Sequence, residues 1–400
     1  MEQIFESELK MQEWLSHELL CVEGLMDLII NKEDHKNLYS DSVVERKFFE
    51  SYRHCIKSLN LNTIVSENEN ISFKEGDIFK PDFLLFAPKT ESIVIVELKN
   101  IAGPSRQVGT EVSAYSSEVK SYIPFISEGD IINVIISPTW PTLLRHYIFH
   151  EIFWLQKNII CLEPCKSDNS INLRIVEIPK FIEDNVSLKL SPKHLGGYNL
   201  CLYDYNLYKE PSYRTRLDPY IEQMKTAISA IESKGNSQKN YGFAFLWKDK
   251  HPLSLAPYSI TILNLAPFQS LERLFHDVDY KITEITKRFI NLRSYYGPVG
   301  HGESLNVMTN YGKRFLEGFC EPRVEGFLTW DYLKRIMIPR CDLISFHSWG
   351  IFGELFSDKL AEEYEKGNIQ LSSTDPKLGM ELIDYLVDPE YEFIDLSDYE

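Results

Sequence analysis

No run of apolar residues in this 400-residue chain is long enough to cross a bilayer. The best candidate, YIFHEIFWLQ at 147–156, is broken by His150 and Glu151 and followed by Lys157. Cysteine is sparse. The seven that occur are scattered and odd in number, which excludes a disulfide framework. The opening residues, MEQIFESELK, lack the basic and apolar pattern of a secretory leader. Internal repeats and low-complexity stretches are also lacking. Together these absences predict a soluble protein of a reducing, cytoplasmic compartment. Basic residues are missing from the last 20 positions, which carry 8 acids. Residues 1–50 hold 12 acids against 5 bases. The whole chain has a net charge of −17, so these two ends leave only −2 for 51–380. A local basic groove is therefore compatible with the acidic total.

The composition that is present is globular. Hydrophobic residues make up 44% of the chain and aromatics 13%, which argues against disorder. The length suits two or three domains. Residues 1–40 read as an N-terminal helical segment. From 41 to 180 the expected order is helix, three strands, helix, strand, helix and two strands. Such an order implies a mixed sheet flanked by helices, an α/β arrangement. Residues 181–215, rich in Ser, Pro, Gly and Tyr, read as a junction. A second α/β or α+β domain is expected over 216–380. It starts with an amphipathic helix at 217–233 and strands at YGFAFLWK and YSITILNLAP. A long helix at 270–296 and a helix-rich remainder complete it. Residues 381–400 read as an acidic tail.

The chemistry concentrates in KPDFLLFAPKTESIVIVELKN at 80–100. Two apolar runs, each of strand length, are joined by the turn-like APKTES. The first is entered through Pro81-Asp82 and the second leaves through Glu97-Leu98-Lys99. Side chains alternate along a strand, so Glu97 and Lys99 share one face and Leu98 turns into the core. Two antiparallel neighbours bring Asp82 and Glu97 to one corner. Carboxylate oxygens there suit a hard divalent ion, and the Leu98 backbone carbonyl is a further ligand. Lys99 beside the ion can hold a water or offset charge on a phosphate.

Pro81-Asp82 followed by Glu97-Leu98-Lys99 resembles the signature of the PD-(D/E)xK nuclease superfamily. The resemblance covers roughly 40–165. It implies a restriction-endonuclease-like core, Mg²⁺ or Mn²⁺ as cofactor, and hydrolysis of phosphodiester bonds in nucleic acid, DNA more than RNA, with endonuclease action favoured. It also implies a glutamate on an earlier helix, for which DSVVERKFFESY supplies Glu45, or less favourably Glu50. RecB-like branches add a glutamine, often with a tyrosine, on the helix after the lysine. Gln107, Glu111 and Tyr115 form such a stripe at i, i+4 and i+8. The catalytic expectation is thus Asp82, Glu97, Lys99, Gln107 and Glu45, with Asp82, Glu97, Glu45 and the Leu98 carbonyl on the metal. By analogy the protein is a restriction or phage-defence effector whose second half selects the target. The competing expectation is a non-cleaving nucleic-acid-binding or assembly subunit. A homo-oligomer or a protein partner is compatible with either, and a membrane with neither.

Other patterns carry less. His146 and His150 share a helix face and precede Cys161 and Cys165, but Cys161 falls in an apolar strand, so the expectation is a structural role and not zinc. GPVGHGES at 297–304 lacks the Lys-Ser/Thr ending of a phosphate loop. Tyr203, Tyr205 and Tyr208 read as packing in the junction.

Overall fold

The computed structural model describes residues 4–35, 38, 40, 42–100, 107–167, 170–181, 188–204, 217–269, 271, 283–297, 303–388 and 392–394. The chain divides into two compact units. The first comprises 1–187 with 394–400, and the second 188–393. The protein is mixed α/β, with a six-stranded mixed sheet in the first unit and a five-stranded antiparallel sheet in the second.

The first sheet runs in chain order: β1 (Thr63–Glu67), β2 (Phe83–Ala87), β3 (Ser92–Leu98), β4 (Ile131–Ile136), β5 (Asn158–Ser167) and β6 (Ser170–Ile175). β1, β2 and β3 are antiparallel, β3 to β5 are parallel, and β6 returns antiparallel. β3 and β4 are buried along their whole length. Their continuous apolar runs follow from their place at the centre of a sheet covered on both faces. Helix α3 (Gln107–Tyr122) makes the crossover from β3 to β4. Helix α2 (Val43–Ser58) is stitched to the opposite edge: Ser51 Oγ donates to the Ile159 carbonyl at 3.0 Å, and Tyr52 donates to the Val176 carbonyl at 3.3 Å. Helix α4 (Thr142–Phe149) runs into a π-helical turn at His150–Trp154.

The N-terminal segment belongs to this unit. Helix α1 (Glu8–Leu19) is capped by Ser7, whose side chain accepts from Lys10 N–H, and it buries Met11 and Leu15. Further on, Ile29 bridges to Leu173 of β6 and Ile30 N–H donates to the Leu173 carbonyl at 3.0 Å.

In the second unit the strand order is β11 (Glu321–Thr329), β8 (Leu195–Tyr203), β10 (Tyr258–Leu265), β9 (Gly242–Asp249) and β12 (Cys341–Trp349). A two-residue β7 (Leu188–Lys189) pairs with β13 (Glu392–Ile394). The described helices are α5 (Ile221–Ser237), α6 (Glu284–Tyr296), α7 (Glu303–Lys313), α8 (Trp330–Arg340), α9 (Ile351–Glu365) and α10 (Pro376–Leu386). One sheet face packs Leu200, Leu246 and Ile262 against Ile228 and Ile231 of α5 and Met308 of α7. The other is aromatic. Phe245 stacks on Trp330 of α8 at 5.6 Å, and Phe243 meets the same ring edge-on at 5.3 Å.

Three stretches depart from the sequence reading. β8 lies inside the expected junction and is an interior strand. β11 and β12 lie in the remainder read only as helix-rich. The acidic segment begins within α10, whose Leu382, Ile383 and Leu386 are buried. Glycine disguises β8: a Cβ at Gly197 would stand 1.8 Å from the Ile262 carbonyl oxygen, so the close approach of β8 to β10 requires glycine there. Gly197→Ala should therefore destabilise the second unit by about 1–3 kcal/mol, the range of an overpacked interior site. Denaturant melts that match wild type would refute this close packing.

Candidate active site

The ends of β2 and β3 form an incomplete ladder. Phe83 pairs with Val96, so the next steps set Asp82 opposite Glu97 and Pro81 opposite Leu98. Lys99 N–H donates to the Ile136 carbonyl at 2.9 Å, on the β4 side. Backbone groups alternate along a strand, so those of Leu98 turn toward β2. Pro81 has no N–H to offer the Leu98 carbonyl. The Leu98 N–H donates instead to Asp82 Oδ2 at 2.6 Å. One carboxylate thus closes the strand end while the Leu98 carbonyl faces a residue without a donor. The Leu98 side chain is fully buried, as its position between Glu97 and Lys99 predicts.

Lys99 is the hub. Its ammonium donates to Glu97 Oε1 at 2.6 Å and lies 3.2 Å from Glu111 Oε2 on α3 and 3.9 Å from Glu8 Oε1 on α1. Asp82 completes a group of four carboxyls around one ammonium. Glu97 is only 3% exposed, and its Oε2 is buried with no hydrogen-bond partner. Burial, then the Asp82 charge, push the Glu97 carboxyl up to about 8 against the pull of Lys99. Burial also pushes Asp82 up to about 6, although the Leu98 N–H and Lys99 oppose it. Lys99 moves up as well: burial acts to lower it, but Glu97, Glu8 and Glu111 outweigh burial. All three shifts share one origin, a surplus of negative charge in a poorly solvated place.

A divalent cation would relieve that surplus. The unpartnered Glu97 Oε2, Asp82 and the Leu98 carbonyl are hard oxygen donors of the kind Mg²⁺ or Mn²⁺ takes. Among the described residues no group of three or more His, Cys, Asp and Glu side chains is arranged to hold a metal. A magnesium site built from one or two carboxylates, carbonyls and water does not need one. Tyr115 supports the corner from α3 by donating to the Lys80 carbonyl at 3.0 Å, just before Pro81. Burial, then the carboxylates of Glu97 and Glu111, push its hydroxyl up, so it stays a donor.

The structure brings Asp82, Glu97, Lys99, Glu111 and Tyr115 together. Glu45 lies half-buried in the first turn of α2. Glu8 faces Lys99 and adds to the negative charge at Asp82, and sequence reasoning missed it. Its signal was slight: a glutamate one residue after the N-cap Ser7. Glu50 is exposed, and lines a separate cleft with Lys47 and His54. Gln107 begins α3, but its side chain lies outside the described residues. His146 and His150 are exposed, whereas Cys161 is fully buried and Cys165 half-buried. Residues 298–302 of the glycine-rich stretch, and Tyr205 and Tyr208, lie outside the described residues. Tyr203 hydrogen-bonds Glu325, and Arg323 sits over its ring at 5.1 Å.

No family model, curated protein or solved structure matches this chain.

The Glu97 shift has a signed consequence for stability. A raised carboxyl contributes stability that is fully present below its unfolded value of 4.5 and is lost as pH rises to about 8. Glu97→Gln removes that loss. In EDTA its melting temperature should gain on wild type between pH 5 and pH 8.5, by an increment worth about 1–3 kcal/mol. A gap that is the same at both pH values would show that Glu97 is not held as a raised acid.

Proposed function

We propose that this protein is a divalent-metal-dependent nuclease that hydrolyses phosphodiester bonds, with DNA as the favoured substrate, and that its first unit is a restriction-endonuclease-like domain. The observation that carries this reading is the unpartnered, buried Glu97 Oε2 beside Asp82 and the Lys99 ammonium. Asp82, Glu97 and the Leu98 carbonyl would hold Mg²⁺ or Mn²⁺. When bound, the ion would supply Lewis-acid polarisation of the phosphate and lower the pKa of a water. Lys99 orients the attacking water or offsets charge on the phosphate, and Glu111 and Glu8 keep it protonated and in place. Tyr115 fixes the backbone from which Asp82 projects. On the same reading the second unit selects the target, as a restriction or phage-defence effector requires.

The test is single-turnover cleavage of plasmid, linear and single-stranded DNA and of RNA, with Mg²⁺ or EDTA. Cleavage should require the metal. Asp82→Ala and Lys99→Ala should each slow it by about 100-fold or more when assayed well below their melting temperatures; Lys99→Ala should also melt lower than wild type, because it leaves the carboxyls facing each other. Lys99→Arg should also fail, because a planar fork cannot replace a compact ammonium between Glu97 and Glu111. Wild-type cleavage by a well-folded Lys99→Ala variant would remove the nuclease reading of this corner.

A further inference from the structure

Helix α6 is closed at both ends and, among the described residues, covered on hardly any side. Thr283 caps its start by accepting from Thr286 N–H, and Gly297 ends it in the left-handed region at φ 54°. None of its residues is buried. Its attachment runs along Thr286, Ile290 and Arg293, which are half-buried. Arg293 fixes that side by donating to the Phe268 carbonyl at 3.1 Å and to Gln269 Oε1 at 2.9 Å.

Beside that line runs an exposed apolar stripe. Ile285 is 56% exposed, Phe289 45%, Leu292 48% and Tyr296 72%. Their spacing of four, three and four residues is that of a two-heptad coiled-coil seam, with Ile285 and Leu292 at d and Phe289 and Tyr296 at a. A run of four large side chains in one line is more than the scattered exposed apolar residues of an ordinary surface. A polar helix face would have needed none of them.

We propose that α6 is a self-association element, pairing antiparallel with α6 of a second copy of this chain. The stripe is symmetric about the midpoint between Phe289 and Leu292. An antiparallel pair therefore forms four matched layers: Ile285 against Tyr296 and Phe289 against Leu292, each twice. A two-fold interface requires this self-complementarity. The flanking charges select the direction. In a parallel pair Arg288 at g would face Arg293 at e of the second copy, a like-charge contact. In the antiparallel pair g faces g, and Arg288 comes beside the ring of Tyr295, an exposed aromatic at 82%, where a cation–π contact replaces the repulsion. The helix is about 20 Å long at 1.5 Å per residue, shorter than a stable isolated coiled coil needs. The dimer is accordingly weak, with a dissociation constant on the order of 10–100 µM.

Sedimentation of the full chain from about 1 to 100 µM tests this. Wild type should pass from monomer to dimer over that range. Phe289→Glu with Leu292→Glu should stay monomeric at the top of it and melt as wild type, because both side chains are exposed. A wild type that is monomeric throughout, or a dimer that survives the double change, overturns the proposal. Direction is read from cross-links mapped by mass. Ile285→Cys with Tyr296→Cys should give an intermolecular 285–296 disulfide. A 285–285 disulfide in the Ile285→Cys single variant would mean parallel pairing and would sink the antiparallel assignment.

Discussion

One ammonium shared by four carboxyls governs the first unit. Lys99 at the end of β3 meets Glu97 from its own strand, Glu111 from the following crossover helix and Glu8 from the N-terminal helix. Asp82, from the neighbouring strand, spends one oxygen on the Leu98 backbone. Four separate elements converge because their charges have nowhere better to go. Removing any one carboxyl would lower the negative surplus, and removing the lysine would leave the rest facing each other in a poorly hydrated corner. This imbalance is costly as a stability device, since apolar packing would serve better at the same volume. It is useful as a receptor for positive charge.

The parts of this corner that could be read in the sequence are those fixed by local periodicity. Asp82, Glu97 and Lys99 were legible because charge bounded two apolar runs and because a strand repeats every two residues. Glu111 and Tyr115 were legible as one stripe of a helix with a four-residue repeat. Glu8 was not, because nothing local distinguishes a first-turn glutamate that meets a distant lysine from one that meets water. Glu45 was legible only through the resemblance: it sits in the first turn of α2, a helix whose middle is tied to Ile159 of β5 and to Val176.

The second unit was harder for a related reason. β8 carries Gly196-Gly197 and a polar centre, which in isolation looks like a loop; only its fit against β10 explains the glycines. β11 reads EPRVEGFLT, with most of its residues exposed or half-exposed, so it shows no apolar alternation. β12 carries a bulge between Leu343 and Ser345, which shifts the phase of its side chains. In each case pairing with neighbouring strands, not intrinsic preference, decides the conformation. The aromatic wealth of the composition, by contrast, has a plain destination in the rings that cover one face of this sheet.

The hydrogen bond from Lys99 N–H to the Ile136 carbonyl places a constraint on the order of events during synthesis. The four carboxyls and the ammonium have all emerged once residue 111 is made. The strand that fixes the Lys99 backbone comes about 25 residues later, and the chain that anchors the N-terminal segment, at Leu173, later still. A growing chain can therefore set Asp82 against Glu97 through the β2–β3 pairing before the carbonyl that holds the Lys99 backbone has been made. The completed corner thus joins a local hairpin to a backbone partner on β4 that is made about 25 residues after Glu111.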